Sequence, residues 1–220
     1  MIIWISSYPK SGNTYLRSFL SSYYYSKEGK FDFNLLLNIN QFPASRYSDV
    51  KSYTYFDAAK NWIYNQKKFF TKEKLFFLKT HNSLQEYLGY RFTKSSETLG
   101  AIYIVRDPRN VITSMCNHYS MSLNEMYSKM VDENASLSIK DSDGDLSNFS
   151  FLGSWSNHYK SWKNNFEFKT LFIKYEDLEE NAYEEFWKIL TFIEELTGKN
   201  EPINKKKFEN SINSTNFSSL

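Results

Sequence analysis

Two lysines, an arginine, a histidine and several small hydroxyl residues stand where short apolar runs of this chain give way to polar turns, and these are the side chains that could do chemistry. Tyr8-Pro9-Lys10-Ser11-Gly12-Asn13-Thr14 follows the apolar run Met1 to Ser6 and precedes a stretch in which Leu16, Phe19, Leu20 and Tyr23 recur at helical spacing. A strand, a tight turn and a helix in that order aim backbone N–H groups at one spot. The helix dipole and an adjacent lysine make that spot an anion cradle. Lys10 taken alone reads equally as a solvated loop cation. Phe77-Leu78-Lys79-Thr80-His81 places a histidine just past the end of another apolar run. Open α/β sheets bind ligands at that edge, and neutral imidazole can accept a proton from a hydroxyl. A lone histidine is as often a packing residue, and His118 and His158 carry that reading. Arg106-Asp107-Pro108-Arg109-Asn110, with Ser114 farther on, offers a planar fork of donors and a hydroxyl, a pair suited to a second phosphate. Asp107 reads as a helix cap and Arg109 as a surface cation.

Several chemistries are excluded by what the chain lacks. Its seven glycines form neither G-x-G-x-x-G nor G-x-x-x-x-G-K-[ST], so the dinucleotide fingerprint and the Walker A loop are absent. There is no H-E-x-x-H, EF-hand loop or cysteine cluster to hold a metal, and no G-x-S-x-G serine elbow. Lys205-Lys206-Lys207 reads as a solvated helical face, and the aromatic wealth as core.

The elements that must position these residues follow from periodicity. Short apolar runs at Leu75 to Lys79, Ala101 to Val105 and Thr170 to Lys174 join the first as buried strands, and helical patterns occupy about Phe56 to Phe70, Ser150 to Phe166 and Ala182 to Thr197. Pro108 suits the first position of another helix, capped by Asp107, with Val111, Met115 and Tyr119 near one face. The polar stretch from about Ser120 to Phe151 is expected as a mobile loop. Strands alternating with helices predict an α/β fold, a parallel sheet covered on both faces, in a single domain over residues 1–220.

Composition sets the setting. With 220 residues, 41% of them hydrophobic and 19% aromatic, the chain can bury a core without staples. A net charge of +2 gives no global field for a nucleic-acid polymer, so any anion site is local. The single Cys116 fits a reducing, cytoplasmic compartment. No apolar run reaches the roughly 18 residues of a membrane span, and the first residues lack the features of a signal peptide.

Taken in order, the blocks Tyr8 to Tyr15, Lys79-Thr80-His81, Arg106 to Val111 with Ser114, Gly153-Ser154-Trp155 with His158, Tyr175-Glu176-Asp177-Leu178 and Phe208-Glu209-Asn210 resemble the cytosolic-type sulfotransferase family. That resemblance implies a P-loop-like three-layer fold and a donor, 3′-phosphoadenosine 5′-phosphosulfate, whose sulfuryl group passes to an acceptor hydroxyl or amine and leaves adenosine 3′,5′-bisphosphate. It implies that Lys10, Ser11, Gly12, Asn13 and Thr14 bind the 5′-phosphosulfate end, that Arg106 and Ser114 hold the 3′-phosphate, and that Tyr175 and Tyr15 lie near the nucleotide. His81 matches the general base, Lys10 and Lys79 the assisting cations, and no metal is required. Asn13 stands where the family has Thr, and Tyr15 where it commonly has Trp. The Arg-Lys-Gly element that the family carries after its Phe-Glu-Asn segment is missing, which implies a shortened tail, and so is its dimer segment, so oligomeric state is not carried over.

Two other readings remain: a protein that binds the bisphosphonucleotide without turnover, and an atypical P-loop kinase. The acceptor, a small molecule or a saccharide, is not encoded legibly. Its pocket is expected from the stretches Phe31 to Tyr55, Leu84 to Thr98 and Ser120 to Phe151.

Overall fold

The computed structural model describes residues 1–69, 75–139, 142–198 and 202–215. The chain runs β1 (Ile2–Ser7), α1 (Asn13–Tyr25), α2 (Tyr55–Gln66), β2 (Phe76–Thr80), β3 (Thr98–Val105), α3 (Pro108–Tyr119), α4 (Leu123–Val131), β4 (Ser136–Leu137), β5 (Ser150–Phe151), α5 (Trp155–Lys163), β6 (Thr170–Lys174), α6 (Tyr175–Glu180), α7 (Ala182–Thr197) and α8 (Lys205–Ser214). Three short 3-10 turns, Phe33–Asn38, Ser45–Tyr47 and Lys67–Phe69, lie between α1 and β2.

Every residue of β1 is buried, which suits a strand with neighbours on both sides. Four strands pair in the order β2-β1-β3-β6, all parallel, with Ile3 opposite Phe77 and Gly100, and Tyr103 opposite Phe172. Alternate side chains of β1 point to opposite faces. Ile3 and Ile5 meet Leu16 and Phe19 of α1, Phe186 and Ile189 of α7 and Phe208 of α8. Ile2 and Trp4 meet Ala58 and Trp62 of α2 and Trp162 of α5. A third cluster joins Tyr8 to Val111 and Met115 of α3 and Met126 and Met130 of α4. The result is the P-loop-like arrangement of a parallel sheet between two helical layers. From β1 the chain moves outward to β2, and from β3 outward to β6 on the other side. The carboxyl ends of β1 and β3 therefore flank a topological switch point, where open sheets of this kind place their ligands.

Several boundaries differ from expectation for visible reasons. The stretch 120–151 is no simple loop. Ser122 and Glu125 close a reciprocal capping box, Met126 and Met130 are buried one turn apart, and α4 forms; beyond it β4 and β5 pair antiparallel. The polar average of the segment hid that S-x-x-E signal. The second helix starts on its Thr54 cap and tightens to a 3-10 turn after Gln66, while Phe70, assigned to it from periodicity, lies outside the described residues, as do Lys140, Asp141 and the tail 216–220. The helix expected from Ser150 starts only at Trp155, because Ser150 and Phe151 are drawn into β5 and Ser154 is the cap. Asp107 caps α3 as expected, its carboxylate accepting from the Arg109 N–H at 2.8 Å with Pro108 next in line. Of the Lys205–Lys207 run, Lys205 and Lys206 are exposed at the start of α8. No helix among the described residues is long and apolar enough to cross a membrane.

The α1–α7 contact is the densest aromatic packing on one face: the rings of Phe19 and Phe186, both fully buried, stack at 3.9 Å and 11°. Truncating such a ring loses its transfer free energy and leaves a cavity. Phe186→Ala is expected to lower unfolding free energy by about 3–5 kcal/mol, read as a fall in the urea midpoint with an unchanged slope; a loss under about 1 kcal/mol would show that this layer does not carry the fold.

Candidate active site

Lys10, Gly12, Asn13, Thr14, Tyr15, Lys79, His81, Arg106, Ser114 and Tyr175 line one cavity of about 700 Å³ at the carboxyl edge of the sheet. They arrive from four strand ends. The turn after β1 and the first turn of α1 supply residues 10–15, the end of β2 supplies Lys79 and His81, the end of β3 supplies Arg106 with Ser114 following on α3, and the end of β6 supplies Tyr175. Ser11 sits behind this wall, 1% exposed.

The turn is built by its backbone. Lys10 has φ 63° and Gly12 has φ 92°, so two left-handed residues curl the chain before α1 begins. At Gly12 the restriction is also steric, because a Cβ there would stand 2.2 Å from Cδ2 of Tyr175. The Tyr175 ring is therefore packed against the turn. The Arg106 guanidinium lies over the same ring at 4.2 Å and donates to the Lys10 carbonyl at 3.1 Å, so the second cation is tied to the loop that carries the first. Burial, first, and then the nearby Glu179 raise the Tyr175 phenol to about 12. Asn13 faces inward and donates to the Ile5 carbonyl at 3.1 Å, which pins the helix start to β1.

Among the described residues no carboxylate lines the cavity, and Lys10, Lys79 and Arg106 pair with none. Ser11 Oγ and Arg106 Nε are buried without a hydrogen-bond partner, which is costly unless a ligand supplies one. Cations that are short of anions in a concave site form a receptor for a polyanion. Lys79 donates to Gln41 Oε1 at 3.2 Å, and desolvation, with Arg17 and Lys10 nearby, lowers its ammonium to about 8.

His81 is 8% exposed, and its Nδ1 lies 2.7 Å from the Ser7 carbonyl. A carbonyl only accepts, so Nδ1 carries the proton and Nε2 keeps a lone pair. Burial, with the Lys79 charge beside it, pushes the imidazole well below its ordinary value, and the ring is neutral at neutral pH. A neutral base among cations facing a cavity can take a proton from a bound hydroxyl.

Several lining residues had no role in the sequence reading: Gln41, His118, Tyr119, Ser138, Ile139 and Asn148. His118 was legible, since it follows Ser114 by one helical turn on α3. Tyr119 ends α3, and Gln41, Ser138, Ile139 and Asn148 come from the stretches expected to shape an acceptor pocket, while Leu84 to Thr98 contributes nothing to the cavity and packs against α2 instead, Gln66 donating to the Phe92 carbonyl at 2.6 Å. Arg109 is a surface cation, its side chain 88% exposed and paired with Asp107. Among the described residues no group of three His, Cys, Asp or Glu side chains is placed to hold a metal.

Residues 2–219 match the family described as the sulfotransferase domain. Among solved structures the chain is similar to mouse sulfotransferase SULT7A1 complexed with PAP (18% identity, TM-score 0.54), to retinol dehydratase with androsterone and inactive cofactor PAP (13%, 0.61), and to retinol dehydratase with retinol and PAP (14%, 0.60). Each likeness covers 99% of this chain and 65% of the other, so the chain spans just under two thirds of those proteins, and at these identities the likeness shows the fold. No curated protein matches it by sequence.

Lys79 is cationic below about 8 and neutral above it. With the lysines methylated by ¹³C-formaldehyde, one resonance, lost in Lys79→Met, is expected to titrate near 8; a midpoint near the usual 10.4 would show the ammonium to be solvated.

Proposed function

The chain belongs to the sulfotransferase family, and from that premise we propose that it transfers a sulfuryl group from 3′-phosphoadenosine 5′-phosphosulfate to an acceptor hydroxyl or amine, releasing adenosine 3′,5′-bisphosphate. The observation that carries this reading is the convergence of Lys10, Lys79 and Arg106, none paired with a carboxylate among the described residues, on a cavity that His81 also lines, its Nδ1 engaged by the Ser7 carbonyl. The unpartnered Nε of Arg106, which lines the cavity, fits a donor rich in phosphate oxygens.

The donor supplies an activated sulfuryl group, its sulfur bonded to an oxygen that phosphate can carry away. The residues of the chain do the rest. His81 Nε2 takes the acceptor proton as the acceptor oxygen bonds to sulfur, a contribution of about 10²–10⁴ in rate. Lys10 and the N–H groups of the turn face the oxygen on which charge grows as the sulfur–oxygen bond breaks. In a water-poor site one such preorganised donor is worth roughly 3–4 kcal/mol. Lys79, one residue pair before His81 on the same strand face, adds a second cation. Arg106 and Ser114 are assigned to the 3′-phosphate, and the rings of Tyr15 and Tyr175 to the nucleoside. Tyr15 offers a smaller surface than a tryptophan, and its ring stands edge-on to Phe186 at 5.1 Å. Gln41, Ser138, Ile139 and Asn148 border the acceptor side, with a polar and an apolar part suited to a hydroxylated small molecule or sugar. The single Cys116 accords with a reducing cytoplasm as the setting.

Purified protein incubated with ³⁵S-labelled donor and a panel of hydroxylated acceptors is expected to yield labelled product. His81→Ala should cut that transfer by about 10²–10⁴ while calorimetric affinity for adenosine 3′,5′-bisphosphate stays within about threefold; parallel loss of both would make His81 structural. Arg106→Ala should instead weaken the bisphosphate by about 10- to 100-fold, the worth of a charged hydrogen bond, and weaken adenosine 5′-phosphate far less; an equal loss for both nucleotides would detach Arg106 from the 3′-phosphate.

A further inference from the structure

His158 and Tyr103 lie outside the cavity, fully buried or nearly so, on α5 and β3. Yet their hydrogen bonds run to the histidine that lines it. His158 Nε2 is 3.0 Å from the His81 carbonyl oxygen, and because that oxygen only accepts, Nε2 carries the proton. His158 Nδ1 is then an acceptor, and the Tyr103 hydroxyl 2.8 Å away donates to it. The backbone N–H of Tyr8 favours negative charge on the Tyr103 oxygen. That N–H belongs to the same peptide whose carbonyl, on Ser7, accepts from His81 Nδ1 at 2.7 Å.

Three hydrogen bonds therefore run in one sense: Tyr103 O–H to His158, His158 N–H to the His81 main chain, and His81 N–H to the Ser7 carbonyl. Each member has its donor and acceptor role fixed by the next, and such chains polarise one another. The Tyr8 ring meets His158 edge-on at 5.4 Å and leaves it little room to turn. One turn farther along α5, Trp162 Nε1 donates to the Asn82 carbonyl at 3.0 Å, so two ring N–H groups of one helix hold two consecutive carbonyls. Burial pushes His158 down to about 4, so it serves as an uncharged linker through the neutral range.

We infer that His158 and Tyr103 are positioning residues for His81: by holding its main chain beside the Ser7 carbonyl that its Nδ1–H meets, they fix that tautomer and aim Nε2 into the cavity. This rests on His81 being the base of the proposed transfer, but the hydrogen bonds can be read without turnover. The chain has three histidines, so long-range ¹H–¹⁵N spectra resolve each ring's tautomer. In the wild type His81 is expected protonated on Nδ1 and His158 on Nε2; the opposite pattern overturns the inference.

Two substitutions separate position from bulk. In His158→Gln the amide N–H₂ can reach where Nε2 stood, whereas His158→Leu keeps volume and donates nothing. His158→Leu is expected to give a mixed His81 tautomer and a kcat lowered by about 10- to 100-fold, with bisphosphate affinity within about threefold, since a misplaced reacting group alone costs on that order. His158→Gln should restore a single His81 tautomer and most of kcat, and Tyr103→Phe should fall between. Should both His158 variants behave alike, or His158→Leu retain the tautomer and turnover, the pair is packing only. If the wild type transfers nothing to any acceptor, the proposed function fails while the tautomer spectra still decide the hydrogen bonds.

Discussion

The peptide between Ser7 and Tyr8 is the point on which the site depends. It ends the central strand, whose other peptides are committed to neighbours on both sides, so it cannot move without disturbing the sheet. Its carbonyl holds the imidazole of His81, and immediately after it the chain turns through two left-handed residues into α1. The imidazole proposed as base and the turn proposed as anion cradle are thus built from opposite ends of one rigid unit, and the distance between them is set by sheet geometry rather than by flexible side chains. That is the form of preorganisation a charge-developing reaction requires.

Electrostatics explains why the cavity is lined by cations and lacks carboxylates among the described residues. Three cations face the cavity, and the acids closest in sequence are engaged elsewhere: Asp107 caps α3, and Glu176 accepts the Asp107 N–H at 3.1 Å. Leaving the cations without carboxylates costs folding free energy. Burial first, and then the neighbouring Arg17 and Lys10 charges, depress the Lys79 ammonium in the same sense. A polyanionic ligand recovers that cost, which links affinity for the ligand to the strain of the free site. Burial first, and then the charge of Lys79, keeps His81 neutral beside these cations.

The aromatic side chains divide by layer. Phe19, Phe186 and Phe208 weld α1, α7 and α8 to one face of the sheet, while Trp4, Trp62 and Phe149 bind α2 to the other. Tyr8, Tyr15, Tyr103 and Tyr175 sit at the boundary between core and site, each with an apolar ring in the packing and a hydroxyl available for polar contacts.

The four sheet strands in their order, most of the helices between them and the cation-bearing turns were written in the sequence, because each rests on local rules: period-two and helical patterning, Pro108 behind the Asp107 cap, a tight turn before Leu16. The six ordered motifs likewise carried most of the cavity lining. What sequence could not yield was any contact made across the fold. Met126 and Met130 gain burial only against Tyr8 and α3, so a polar-looking stretch became α4. Gln41 reaches Lys79 across 38 residues, and His158 reaches His81 across 77, through hydrogen bonds that no pattern announces. Local propensity acts over a few residues and leaves its mark in spacing. A hydrogen bond between distant residues depends on how two elements pack, and packing is settled by the whole core at once, so the tertiary structure alone decided which histidine faces the cavity and which holds it there.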